Sequence, residues 1–129
     1  MSNAQAMKIL YADDEEDIRT VASIALERIG GFCVRVCESG RSAISAATEF
    51  NPDCILLDVM MPGMDGPSTL RELRKIPVCS AIPAIFMTAK VNPIKVAQYD
   101  DLGVVGVIPK PFNPMTLSEE LRRMLEPRP

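Results

Sequence analysis

Short apolar runs alternate five times along the chain with longer segments in which apolar residues recur three and four positions apart. A short apolar run between turn residues is typical of a strand, and the wider spacing is typical of a helix with one buried face. The third run, residues 54–57, has no polar residue and therefore indicates a strand that is buried on both faces. The predicted strands span residues 8–12, 32–37, 54–57, 84–87 and 104–108.

Turn and cap residues separate the predicted elements. Gly30-Gly31 should end the first helix, and Ser39 should cap a second helix that runs to Phe50. The acids at the start of the first helix suit the positive end of its dipole. The other helices are predicted to begin at Pro67, at Asn92-Pro93 (ending near Gly103) and at Asn113-Pro114, and the last should bury Leu117, Leu121 and Leu125.

This order of elements predicts an α/β fold of the (βα)5 type, a five-stranded parallel sheet with helices on both faces. A chain of 129 residues fits one such domain, which we assign to residues 7–126. We expect residues 1–6 to be a tag or a disordered start, because Ser2-Asn3-Ala4 is typical of an expression tag, and residues 127–129 to be a tail.

Composition and charge argue against several classes of partner. The net charge is −3 and the basic residues are dispersed, whereas direct binding of nucleic acid needs clustered Lys and Arg. No apolar run is long enough to cross a membrane and no signal peptide is evident, so we expect a cytoplasmic protein without membrane contacts. The four cysteines lack the spacing of metal ligands, and we expect reduced, buried thiols.

Polar residues with complementary chemistry follow four of the predicted strands. Asp13-Asp14, Asp58, Thr88 and Lys110 all come at or just after a strand end. Taken singly, each of these residues is as well explained without a function, as a solvated loop acid, a turn residue, a cap or a surface charge. The carboxyl ends of parallel strands meet at one edge of the sheet, where such folds bind their ligands, so we expect these side chains to converge.

The converging set predicts a site for a cation and a phosphoryl group. Neighbouring carboxylates repel one another unless a cation lies between them, and Mg²⁺ prefers a small number of carboxylate oxygens. A lysine and a hydroxyl group can then receive the charged oxygens of a phosphoryl group, whose transfer needs mainly positioning and neutralisation. A carboxylate is a competent nucleophile for that transfer.

Four segments together make the chain similar to the receiver domain of response regulators in two-component systems. The resemblance covers nearly the whole chain after the tag-like start, and its specificity comes from the segments occurring in order and at strand ends. It implies the flavodoxin-like fold of chemotaxis regulators, with strand order 2-1-3-4-5. The segments are residues 9–15 (ILYADDE), 56–66 (LLDVMMPGMDG), 87–89 (MTA) and 109–112 (PKPF).

The resemblance implies a role for each site residue. Asp58 matches the residue that takes a phosphoryl group from a phosphohistidine. Asp14 and Asp58 match direct ligands of Mg²⁺, which Mn²⁺ can replace, Asp13 matches a ligand through water, and the backbone carbonyl of Met60 falls where the family supplies another ligand.

Two further residues match those that receive the phosphoryl group. Thr88 corresponds to the hydroxyl that moves to bind it, and Lys110 to the cation that pairs with it. The bond between this lysine and the following proline, here Pro111, is often cis in the family. Nothing in the sequence decides its state here.

The chain departs from the family pattern at positions that tune signalling. Val107 stands three residues before the lysine, where an aromatic ring usually relays the switch, so the signal is expected to run through the loop after Thr88 and the fourth helix. An equally open alternative is that Val107 is only a strand residue and that phosphorylation switches the domain weakly. Met60 and Lys90 occupy positions that set the phosphate lifetime, and because Met60 cannot orient water strongly we expect slow loss of phosphate.

Two other functions stay open on the sequence alone. A pseudo-receiver would keep the fold as a binding module without being phosphorylated. A haloacid dehalogenase-type phosphotransferase is disfavoured, because Met60 stands where that class has a second aspartate as general acid. The resemblance otherwise implies a signalling switch rather than an enzyme, promoting its own phosphorylation and dephosphorylation.

The resemblance also implies the surfaces that partners use. A sensor histidine kinase or a histidine phosphotransfer protein should dock on the first helix. The fourth helix, fifth strand and fifth helix should serve output or a homodimer. The sequence names neither the kinase nor the output partner.

Overall fold

A computed structural model describes residues 6–89 and 100–126. Five parallel strands form one sheet in the order β2-β1-β3-β4-β5, which confirms the predicted fold class and strand order. The strands are β1 Lys8–Ala12, β2 Cys33–Cys37, β3 Cys54–Asp58, β4 Ala84–Thr88 and β5 Val104–Pro109.

The first three helices lie close to their predicted positions, and the C-terminal helix begins later than predicted. Helix α1 spans Glu16–Ile24 and continues as a π-helical turn, Ala25–Ile29. Helix α2 spans Gly40–Phe50, and Ser39 and Ser42 cap it reciprocally through backbone and side chain. Helix α3 spans Gly66–Leu73, which makes Pro67 its second residue, and the C-terminal helix spans Leu117–Leu125.

The sheet separates two apolar clusters, as expected for helices on both faces. Leu10 and Ala12 of β1 point into the cluster under α2 and α3. Ile9 and Tyr11 point to the opposite face, where α1 and the C-terminal helix cover them. Every residue of β3 and β4 is buried, which agrees with the continuously apolar run in β3.

Three expectations need correction or fall outside the described part. The C-terminal helix begins at Leu117, because Asn113 instead accepts a hydrogen bond from the Met115 amide and closes a separate turn. All four cysteines are free thiols, but Cys33 is exposed on the edge strand β2. The fourth helix predicted from Asn92-Pro93 lies outside the described residues.

Within residues 6–89 and 100–126, no helix is long and apolar enough to span a lipid bilayer.

Candidate functional site

The carboxyl ends of the central strands bring three aspartates together. Asp13 and Asp14 follow β1, and Asp58 is the last residue of the neighbouring strand β3. Carboxylate oxygens from the three residues lie within 4.8 Å of one another. Asp13 and Asp58 are buried whereas Asp14 is exposed, so the cluster is open to solvent on one side.

The ammonium group of Lys110 lies against this cluster. Its Nζ is 2.9 Å from Asp13 Oδ2, 3.2 Å from Asp58 Oδ2 and 3.1 Å from Glu15 Oε1. The lysine side chain is only 9% exposed. One ammonium group therefore partly offsets several carboxylates in a largely buried place.

Charge in the site is incompletely balanced. Burial and the negative charge of Asp13 raise the pKa of Asp58 from its ordinary value of 3.8 to about 6, although Lys110 and the backbone amide of Met60 act against the shift. Burial by itself would lower the pKa of Lys110. Its hydrogen bonds to Asp13 and Glu15 outweigh burial and raise that pKa above the usual range. The site therefore has an excess of negative charge for a further cation to neutralise.

The donor set fits a hard divalent cation. Three carboxylates with oxygens within 4.8 Å are the ligands that Mg²⁺ takes, and the exposed Asp14 leaves room for water or phosphate oxygens. The backbone amide of Met60 helps to lower the pKa of Asp58, and Met60 is 73% exposed. Metal binding by the Met60 carbonyl stays a prediction.

Backbone hydrogen bonds align the ends of β4 and β5 beside the cluster. Thr88 ends β4 and is buried, and its carbonyl accepts a hydrogen bond of 2.9 Å from the Lys110 amide. The Lys110-Pro111 peptide bond is cis. Thr88 and Lys110 thus lie side by side, as their positions in the sequence predicted, while the part of Thr88 in binding a phosphoryl group stays a prediction.

Three residues around Asp13 had no predicted place in the site. Glu15 was interpreted as a helix-start acid, but its side chain makes no cap hydrogen bond and contacts Lys110 instead. The guanidinium of Arg19 donates to the Asp13 carbonyl at 2.9 Å. Tyr11 donates its hydroxyl hydrogen to Asp13 Oδ2 at 3.2 Å. The spacing of Arg19, one helical turn beyond Glu15, could have suggested that it lies near the site. Tyr11 gave no such signal, because it fits the pattern of a buried strand residue.

Comparison with known proteins identifies the family. The family model of the response regulator receiver domain matches residues 9–122. The chain therefore belongs to the receiver domains of two-component response regulators.

Individual relatives agree with this assignment. The transcriptional regulatory protein CseB of Streptomyces avermitilis is 34% identical over 122 residues, which are 95% of this chain and 50% of CseB. The DNA-binding response regulator MtrA of Mycobacterium tuberculosis is 36% identical over 118 residues, 92% of this chain and 50% of MtrA. The chain spans about half the length of these relatives. The chemotaxis protein CheY4 of Vibrio cholerae superposes with a TM-score of 0.87 at 32% identity, covering 93% of this chain and 99% of CheY4.

Proposed function

We propose that Asp58 accepts a phosphoryl group from a phosphohistidine of a partner protein in a Mg²⁺-dependent reaction, and that the aspartyl phosphate changes which partners the domain binds. The observation that carries this proposal is the cluster itself. The Asp58 carboxylate lies 3.2 Å from the Lys110 ammonium and within 4.8 Å of two further carboxylates.

Asp58 is the nucleophile of the proposed transfer. An Asp58 oxygen attacks phosphorus, the new O–P bond forms, and the P–N bond breaks with its electron pair going to the leaving imidazole. Without metal the pKa of Asp58 is raised to about 6, and bound Mg²⁺ would favour the ionised carboxylate, which is the form that attacks phosphorus.

Lys110, Thr88 and the acidic ligands then stabilise the product. Bound Mg²⁺ would neutralise the carboxylates and the phosphoryl oxygens. Lys110 can exchange its contact with Asp58 for one with a phosphoryl oxygen while Asp13 still holds it. We assign Asp13, Asp14, Asp58 and the Met60 carbonyl to the metal and Thr88 to the phosphoryl group.

Partners follow from the family in the same way. A sensor histidine kinase or a phosphotransfer protein in the cytoplasm would supply the phosphoryl group. CseB and MtrA are described as a transcriptional regulator and a DNA-binding regulator, but this chain spans only half of each. We therefore propose that any output is executed by a partner or by another domain. Val107 is partly buried against the cluster under α2 and α3, and its effect on signalling stays a prediction.

The test is phosphorylation by acetyl phosphate, followed by intact-protein mass spectrometry. We expect a mass increase of one phosphoryl group that requires Mg²⁺ and disappears in Asp58→Asn. The matched control is Asp65→Asn, an exposed acid at the start of α3 whose replacement keeps an oxygen to cap the helix. An unmodified wild-type protein would support the pseudo-receiver instead, and steady hydrolysis of a phosphomonoester would support the phosphotransferase.

A second prediction concerns the backbone that carries Asp58. Gly66 begins α3 directly against it, and a Cβ atom at position 66 would lie 2.6 Å from the Asp58 carbonyl oxygen. Because that contact is too short, Gly66→Ala should displace Asp58 and slow phosphorylation by about 10-fold or more. Ser68→Ala, two residues further along α3, is the control. Equal rates in both variants would show that the turn tolerates the extra atom.

A further inference from the structure

Tyr11 carries a hydroxyl group into a largely apolar part of the core. It lies in β1 and is completely buried. It belongs to the apolar cluster that the sheet forms with α1 and the C-terminal helix. A phenol hydroxyl in such surroundings is costly unless it has a hydrogen-bond partner. A phenylalanine would fill the same space without that requirement, so the partner of the hydroxyl deserves an explanation.

The partner is the most buried carboxylate of the site. Tyr11 and Asp13 are two residues apart, which places their side chains on the same side of the extended chain. The hydroxyl donates to Asp13 Oδ2 at 3.2 Å, and the same oxygen is 2.9 Å from Lys110 Nζ. The other oxygen, Oδ1, accepts a hydrogen bond of 2.9 Å from the Glu15 amide.

These three donors differ in what happens to them during the proposed reaction. Lys110 also contacts Asp58, and a phosphoryl group on Asp58 would compete for its ammonium. Tyr11 and the Glu15 amide carry no charge and are fixed by the strand and by the start of α1. The Tyr11 hydroxyl is completely buried and donates its hydrogen to the Asp13 carboxylate.

We infer that Tyr11 is a positioning residue, which holds the Asp13 carboxylate in the orientation needed for the metal while Lys110 changes partners. The inference rests on the proposed Mg²⁺-dependent function. Groups that hydrogen-bond a metal's ligands fix their orientation, and removing such a group typically weakens metal binding by about 10-fold or more.

In the experiment, Mg²⁺ is titrated into the full-chain Tyr11→Phe variant, and binding is monitored through the amide chemical shifts. The variant loses one oxygen atom and keeps the ring, and its Mg²⁺ affinity should fall by about 10-fold. Saturating Mg²⁺ should restore its phosphorylation rate, because Asp58 and Lys110 are untouched. Ile9→Val is the matched control, since it shortens a buried side chain of the same strand and the same cluster. Its affinity should equal that of wild type.

A measurement without metal separates this inference from the proposed function. In Tyr11→Phe the loosened carboxylate should protect the Glu15 amide less, so that amide should exchange with solvent faster than in Ile9→Val. In an Asp13→Asn background the Tyr11 substitution should have almost no further effect on Mg²⁺ affinity.

The outcomes are distinct. Wild-type protein that binds no Mg²⁺ would overturn the proposed function and this inference with it. Wild-type protein that binds Mg²⁺ no better than Tyr11→Phe would overturn the positioning role alone, as would an unchanged Glu15 amide. If Tyr11→Phe binds weakly in both the wild-type and the Asp13→Asn backgrounds, the residue acts by some route other than Asp13, and the inference fails.

Discussion

Replacing Lys110 by methionine should lower the free energy of unfolding of the metal-free protein by about 3 kcal/mol at pH 7. Methionine keeps most of the length and apolar character of the side chain but removes the ammonium that contacts Asp13 and Asp58. Those carboxylates are 0% and 4% exposed, so each would be left as a buried charge without its cation. Urea unfolding in the presence of EDTA measures the loss.

Lys75→Met is the control for this prediction. Lys75 also pairs with a carboxylate, Glu72, at 3.0 Å, but this pair lies at the C-terminal end of α3 and its lysine side chain is 71% exposed. Its loss should cost less than about 1 kcal/mol. Mg²⁺ should stabilise Lys110→Met more than wild type, because the metal takes over the neutralising role. Equal losses in the two lysine variants would show that the buried carboxylates do not depend on Lys110.

The sheet was predictable because its signals are local. The apolar run of β3 and the cap at Ser39 each specify an element from a few neighbouring residues. The apolar run of β3 stops at Leu57, and Asp58 was placed at the end of that strand, where it pairs with Met87 of β4. The C-terminal helix was placed too early, because Asn113 can cap either a helix or a separate turn and only the packed structure decides between them.

The site was predictable as far as charge and strand ends define it. The convergence of Asp13, Asp58 and Lys110 follows from parallel strands alone. The strand order itself depends on contacts between distant segments and came from family resemblance. Tyr11 escaped prediction because a buried tyrosine in β1 has the same pattern as any core residue, and its role depends on where one hydroxyl points.

The unbalanced charge at Asp58 should make the free energy of unfolding of the metal-free protein depend on pH. In metal-free buffer, Asp58→Asn should become more stable relative to wild type by up to about 3 kcal/mol as the pH rises from 4 to 7.5. The folded state raises the pKa of Asp58 from 3.8 to about 6, so between these values the native protein binds more protons than the unfolded chain. Wild-type stability from this residue is therefore present at low pH and is lost as the pH rises through 6. Asparagine does not titrate, so the free energy of unfolding of Asp58→Asn has no such pH-dependent loss.

Mg²⁺ provides the internal control for this experiment, which is read from urea unfolding at each pH. A cation bound by the three carboxylates favours their ionised forms, so in saturating Mg²⁺ the relative gain of Asp58→Asn should shrink or reverse at pH 7.5. A difference between the two proteins that stays constant with pH in EDTA would mean that Asp58 is already compensated without metal. The excess negative charge would then be absent, and with it the electrostatic reason for this cluster to bind a divalent cation.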